Sequence, residues 1–207
     1  MKSAFTKVRL LFQKISSKNE DPKPLEFPEI GWKITMPEKF RQLNDGEVAD
    51  FINSGQGILV KPVLETGEEL VAKILFIAQF GHVNSFTGLI IPVTGDAPAT
   101  YVARIKEATA KKIERLYKAE YEKKPGVTVK TVHDCIMIGK IEFESVDIIV
   151  STTERILYQG SSYFKIHSGH YINISAAFKE DSVGREMFHA LLESKFKEDN
   201  SKEIPAR

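Results

Sequence analysis

Between Val127 and Phe178 the chain runs through four apolar-rich stretches, Val127 to Ile138, Ile141 to Thr152, Arg155 to Ile166 and His170 to Phe178. Successive residues of a strand face opposite sides of a sheet, so apolar residues at both odd and even positions predict strands buried on both faces. In the second stretch Ile141, Phe143 and Ile149 oppose Val146, Ile148 and Val150; in the fourth Ile172, Ile174 and Phe178 lie opposite Tyr171. Gly139-Lys140 and Thr153-Glu154 are placed to form the first two turns, and Gly160 inside the third stretch predicts a bulge.

The third turn admits two registers. A two-residue loop, Ser168-Gly169, sets His167 opposite His170 and Phe164 opposite Asn173. A three-residue loop, His167-Ser168-Gly169, pairs Phe164 with Ile172 and Ile166 with His170, and leaves glycine at the position that needs positive φ. Matching apolar with apolar favours the three-residue loop, which separates the two histidines.

Upstream, Gly31 to Met36 alternates Trp32, Ile34 and Met36 with Lys33 and Thr35, a short strand stopped by Pro37, with Trp32 as a core anchor. Asn44 and Asp45 cap a helix starting near Gly46, with Val48, Phe51 and Ile52 on one face and an irregular continuation towards Leu64. Leu70 to Phe80 and Phe86 to Val93 form a hairpin around Gly81 to Ser85. Thr100 to Lys123 carries Val102, Ile105, Ala108, Ile113, Leu116 and Tyr117 in one stripe and ends at Pro125-Gly126, which makes it a helix with a solvated charged face. A last helix starts at Asp181 as N-cap and runs to about Lys195, with Val183, Met187, Phe188 and Leu191 facing inward; the tail from Lys197 is polar. Two-sided strands need cover on both faces. The expected fold is therefore α+β: a three-layer α/β/α sandwich whose central, mostly antiparallel sheet receives an N-terminal strand, helix, hairpin, helix, four-strand meander and C-terminal helix.

At 207 residues, 42% apolar and 28% charged, the chain suits one domain. The overall charge of +1 gives nucleic acid no general attraction. It hides an asymmetry, because residues 1–18 carry five basic side chains and no acid, which leaves the remainder near −4. Ala4, Val8, Leu11, Phe12 and Ile15 share one helical face there, so residues 1–18 read as a basic amphipathic helix that packs on the domain or contacts a partner or an anionic membrane surface. The polar, proline-bearing stretch after it reads as a linker. This divides the chain into residues 1–27, a domain over 28–197, and a polar tail over 198–207. Cys135 is the only cysteine, which excludes an intrachain disulfide and a multi-cysteine zinc site. With no apolar run of membrane-spanning length and no uninterrupted secretory core, the expected location is cytoplasmic.

Candidate chemistry is sparse. His133 and Cys135 share a strand face, but a thiol nucleophile also needs a lowered pKa and an oxyanion hole, and the strand context supplies neither. A metal site built on His167 and His170 lacks an identifiable third ligand. Glu142 and Glu144 share a face and read as edge-guarding charges. There is no nucleophile elbow, phosphate loop or dinucleotide fingerprint, and Tyr158, Tyr163, Phe164 and Tyr171 read as core.

The order of elements resembles the α/β/α sandwich of the PsbP extrinsic subunit of photosystem II, the Mog-type Ran-binding proteins and the bacterial DcrB group. The resemblance rests on GWKITMPEKF (Gly31 to Phe40), an aromatic strand ending in proline, and on GHYINISAAFKEDSVGREMFHALLESKF (Gly169 to Phe196), a strand, acidic turn, helix and closing Ser-x-Phe. It implies a non-enzymatic protein-binding or chaperone-like module of bacterial, cytoplasmic type, with no catalytic residue or cofactor to carry over. Three functions stay open: a protein-binding adaptor using a sheet edge or the groove beside the meander; a small metal- or thiol-dependent enzyme around His133, Cys135, His167 and His170; and membrane-surface attachment through residues 1–18.

Overall fold

The computed structural model describes residues 24–53, 72–81, 83–93, 123–197 and a scattered set of helical residues between 107 and 121. The expected N-terminal basic helix, the continuation towards Leu64, the start of the second helix and the polar tail lie outside the described residues.

Among the described residues the main sheet has seven strands, all paired antiparallel. With β1 (Leu25–Phe27), β2 (Trp32–Ile34), β3 (Arg41–Gln42), α1 (Asp45–Asn53), β4 (Lys73–Phe80), β5 (Asn84–Pro92), β6 (Thr128–Ile138), β7 (Ile141–Ser151), β8 (Ile156–His167), β9 (His170–Phe178), α2 (Asp181–Glu193) and β10 (Lys195–Phe196), its order is β3-β4-β5-β9-β8-β7-β6. The four-stretch meander is thus β6 to β9, an α+β arrangement as the alternation predicts. Gly139 and Lys140 both take positive φ, 53° and 71°, the pair of values that a type I′ hairpin turn demands.

Two cores result. Phe76, Phe86, Ile90, Phe143, Tyr163, Ile172 and Ile174 pack with Val183, Met187 and Leu191 of α2 on one face. Leu89, Ile91, Val146, Ile148, Phe164 and Tyr171 pack with Val48 and Phe51 of α1 and with Ala110 and Tyr117 on the other. α1 starts through a reciprocal cap: the Glu47 N–H donates to Asn44 Oδ1 at 3.1 Å, and the Asn44 N–H donates to Glu47 Oε2 at 2.9 Å. Leu43 and Val48, on either side of that cap, are both buried in the same cluster and fix the entry angle of the helix.

Several expectations are corrected. The β8–β9 turn is the two-residue loop, with His167 opposite His170 and Phe164 opposite Asn173. Polar pairing outweighs apolar matching at this point. Ser162 and Ser175 meet at 3.0 Å, and Ser175 Oγ donates to Asn173 Oδ1 at 3.3 Å, so a buried polar ladder is satisfied only in this register. Ser168 accepts a left-handed φ of 48° beside Gly169 to close the loop. Gly160 pairs regularly with Ile148, and the irregularity lies between Val150 and Ser151. A Cβ on Gly160 would stand 3.5 Å from the Tyr117 hydroxyl, an ordinary contact distance. Asp181 is the first helical residue and Glu180 the N-cap, without a side-chain cap bond. Phe188 points outward at 43% exposure. Glu142 and Glu144 lie on β7, which is not an edge strand; among the described residues the edges are β3 and β6.

Leu25 to Phe27, assigned to the linker by sequence, forms β1. It joins β2 and β10 in a small second sheet that clasps the two ends of the domain together. Trp32, 1% exposed, stacks on Phe196 at 5.7 Å and 9°, and its Nε1 donates to Ser194 Oγ at 3.0 Å. Ser194 Oγ in turn donates to the Leu191 carbonyl at 2.7 Å, and the Lys197 N–H donates to the Gly31 carbonyl at 2.8 Å.

Candidate functional site

The strand phase of the meander decides which side chains line the face under α2. Asp134 pairs with Ser145 and Ser145 with Tyr163; Asp147 pairs with Ser161 and Ser161 with Ala176. Residues opposite one another share a face, so Asp134, Ser145, Asp147, Ser161 and Tyr163 form a polar patch beside the apolar core. α2 crosses above it and leaves a cleft of about 410 Å³, with Gln159 at one end and Asp181, Arg185 and Phe188 along the helix side.

Burial raises the Asp147 carboxyl above its ordinary range, opposed by the Ser161 hydroxyl, while the nearby Asp134 charge adds to the rise. Burial pushes the Tyr163 phenol up to about 12 despite its Ser161 hydrogen bond, so it stays a hydroxyl at neutral pH. The folded protein therefore holds the Asp147 proton more tightly than the unfolded chain does. Below the ordinary carboxylate range both states are protonated and this group costs nothing; above its raised folded value the penalty is complete. Asp147→Asn is expected to raise stability at pH 7, and the gain should close as pH falls through the carboxylate range. Denaturant titrations at pH 7 and pH 3.5 check both statements.

Along the exposed side of α2, Phe188 and Leu192 are 43% and 46% exposed and one helical turn apart, which makes a second apolar stripe beside the cleft. On the cleft's other side lies β6, whose outer edge has no strand partner among the described residues. A further groove, between β10 and the β6–β7 turn, is lined by Lys33, Lys140, His167, Lys195 and Lys197. Lys33 there is paired with Glu26 at 2.8 Å.

The residues considered for catalysis do not converge. His133 and Cys135 lie on β6, on the α1 side of the sheet and exposed. His167 and His170 lie two and three strands away on the opposite face. There His167 meets the Phe196 ring edge-on at 5.4 Å, and His170 Nδ1 lies 2.8 Å from the Ser168 carbonyl. Among the described residues no group of three or more His, Cys, Asp or Glu stands close enough to hold a metal ion. No helix among them is long and apolar enough to cross a membrane.

The Asp134–Asp147 patch escaped the sequence reading because the two carboxylates are 13 positions apart and meet only through the β6–β7 register. Once Gly139-Lys140 is taken as a two-residue turn, that register can be written down from sequence.

An antiparallel sheet in this order, with α2 and a terminal clasp on one face, defines an α+β fold of the PsbP-like kind. The chain matches the solution structure of cyanobacterial PsbP, CyanoP, from Synechocystis sp. PCC 6803, with a TM-score of 0.51 at 6% identity, covering 89% of this chain and 98% of that one. Two other matches are LpqN of Mycobacterium tuberculosis, a protein involved in cell envelope biogenesis (TM-score 0.41, 8% identity, covering 86% and 87%), and a Bacteroides thetaiotaomicron protein (0.45, 9%, covering 89% and 52%). No protein-family model matches the chain, and no curated protein does.

Proposed function

We propose that this protein is a non-enzymatic binding module, a three-layer α/β/α sandwich that holds a protein partner in the cleft between α2 and the meander. The observation that carries the reading is the pairing of an exposed apolar stripe, Phe188 and Leu192, with a polar patch in which Asp147, Ser161 and Tyr163 are recessed and Asp134 stands at the exposed rim. Apolar anchors beside a few convergent polar groups are the usual make-up of a recognition surface. The Asp134 charge beside the raised Asp147 carboxyl favours an incoming cation, so the partner segment presents a lysine or arginine next to an apolar side chain. A cytoplasmic setting belongs to the same reading.

A photo-crosslinking residue at position 188, expressed in the host, tests it. A discrete adduct with one protein is expected, and purified components should then show binding weakened about tenfold or more by Phe188→Asp, the loss typical of a buried anchor. An unstructured background of adducts, or full affinity in the variant, refutes the reading.

A further inference from the structure

The exposed edge of β6 is complementary to itself. In the two-residue hairpin, Ile138 and Ile141 flank the turn and form the closing hydrogen-bonded pair. From there the backbone groups alternate, so those of Val129, Thr131, His133, Cys135 and Met137 point away from β7. The Asp134 side chain already shows this phase, because its Oδ1 accepts the Cys135 N–H at 2.8 Å, a donor that β7 leaves unpaired. β6 is 11 residues long, whereas the opposite edge, β3, is only two, too short to template another chain.

If two copies of β6 meet antiparallel around a twofold axis perpendicular to the sheet, residues of equal parity face each other. With the axis at Val132, Lys130 lies opposite the second copy's Asp134 and Asp134 opposite its Lys130, while Val132 faces itself and Val129 faces Cys135. The even positions are then the non-hydrogen-bonded pairs, where side chains approach most closely. Moving the axis to residue 131 or 133 leaves both charges opposite uncharged residues, and moving it to 134 sets Asp134 against itself. One register alone among these neighbours pairs the charges, and pairing them sets an ammonium beside Asp134, whose carboxylate lies near Asp147.

We infer that the chain associates with a second copy of itself through β6, in the register centred on Val132, making one continuous sheet across the two molecules. Asp134 then exchanges its bond to the Cys135 N–H for Lys130 of the other copy, and the N–H takes the facing Val129 carbonyl. Each cleft gains a lysine from the neighbouring molecule. The contact surface is the strand edge and not the α2 stripe, so its test is separate from that of the partner reading, although both bring a cation to Asp134.

Sedimentation of the purified full chain over a wide concentration range is the test. Wild type should move at twice the 23.3 kDa chain mass. Lys130→Asp and Asp134→Lys should each weaken the dimer about tenfold or more, since each places like charges opposite one another twice. The double variant Lys130→Asp/Asp134→Lys should return close to wild type, and an equimolar mixture of the two single variants should form a mixed dimer in which every charge pair is again opposite. A chain monomeric at all concentrations, in which Lys130 and Asp134 merely guard the edge, overturns the inference. So does a dimer indifferent to the single changes, or one that the double change does not restore.

Discussion

Trp32→Ala should lower unfolding stability by about 3–5 kcal/mol, the loss usual for deleting a large buried ring. Trp32 is packed against Phe27 at 5.5 Å, Phe76 at 5.9 Å and Phe196 at 5.7 Å, so no neighbour can close the void without giving up its own stacking. The loss is also not local, because Phe196 and Ser194 hold the end of α2 against β2, near the other end of the described domain. Against a total stability of about 5–15 kcal/mol for a domain, such a change leaves a large unfolded fraction under mild denaturant. Trp32→Phe separates two contributions: it keeps an aromatic ring but removes the donor to Ser194, and should cost about 1–3 kcal/mol. Guanidinium unfolding of the three proteins side by side measures both numbers. Equal midpoints for wild type and Trp32→Ala would show that the clasp is not part of the cooperative unit.

Gly88→Ala should also destabilise, against the direction that propensity alone dictates. Alanine inside a strand is normally better than glycine by about 0.5–1 kcal/mol. At Gly88, however, a Cβ would stand 2.6 Å from a ring carbon of Phe76, its direct cross-strand partner. Phe76 is 2% exposed and wedged among Phe27, Trp32 and Phe86, so it has nowhere to turn. Overpacking of this kind costs about 1–3 kcal/mol or more, which exceeds the propensity gain. Pairing the change with Phe76→Leu should recover part of the loss, and thermal unfolding of the single and double variants decides. A single variant more stable than wild type would mean the strand yields where the packing says it is rigid.

These two positions illustrate what the chain discloses unaided. Trp32 could be read as an anchor because a lone tryptophan in an alternating stretch has one buried side to choose. The meander and its first turn were legible for the same reason, since each strand is long enough to show its period. β1, β3 and β10 were not, because two or three residues carry no periodicity, and β10 follows a helix with only Ser194 between them. Apolar matching alone selects the wrong β8–β9 register, because it leaves out the Asn173, Ser175 and Ser162 contacts, whose members look like ordinary strand polars until they are laid side by side. Phe188 was assigned inward although Val183, Met187 and Leu191 already fill one stripe at four-residue spacing; a fifth-position residue falls to the side of it. The Asp134–Asp147 patch required the register first and the burial second, and the alternation pattern contains only the first.

The clasp also dictates an order of events. Its central strand, β2, is made long before one of its partners, β10, with Trp32 and Ser194 separated by 162 positions. Contacts of such long sequence separation close slowly and after local ones, so the meander hairpins form while Trp32 still lacks its far neighbour. During synthesis, which proceeds from the N-terminal end, β2 must wait until Phe196 has been made, with Trp32, Ile34 and Phe27 uncovered on that side meanwhile. The nascent chain therefore carries an exposed aromatic cluster while the 162 positions between Trp32 and Ser194 are being made, and this is an interval in which it is exposed to chaperones and to aggregation.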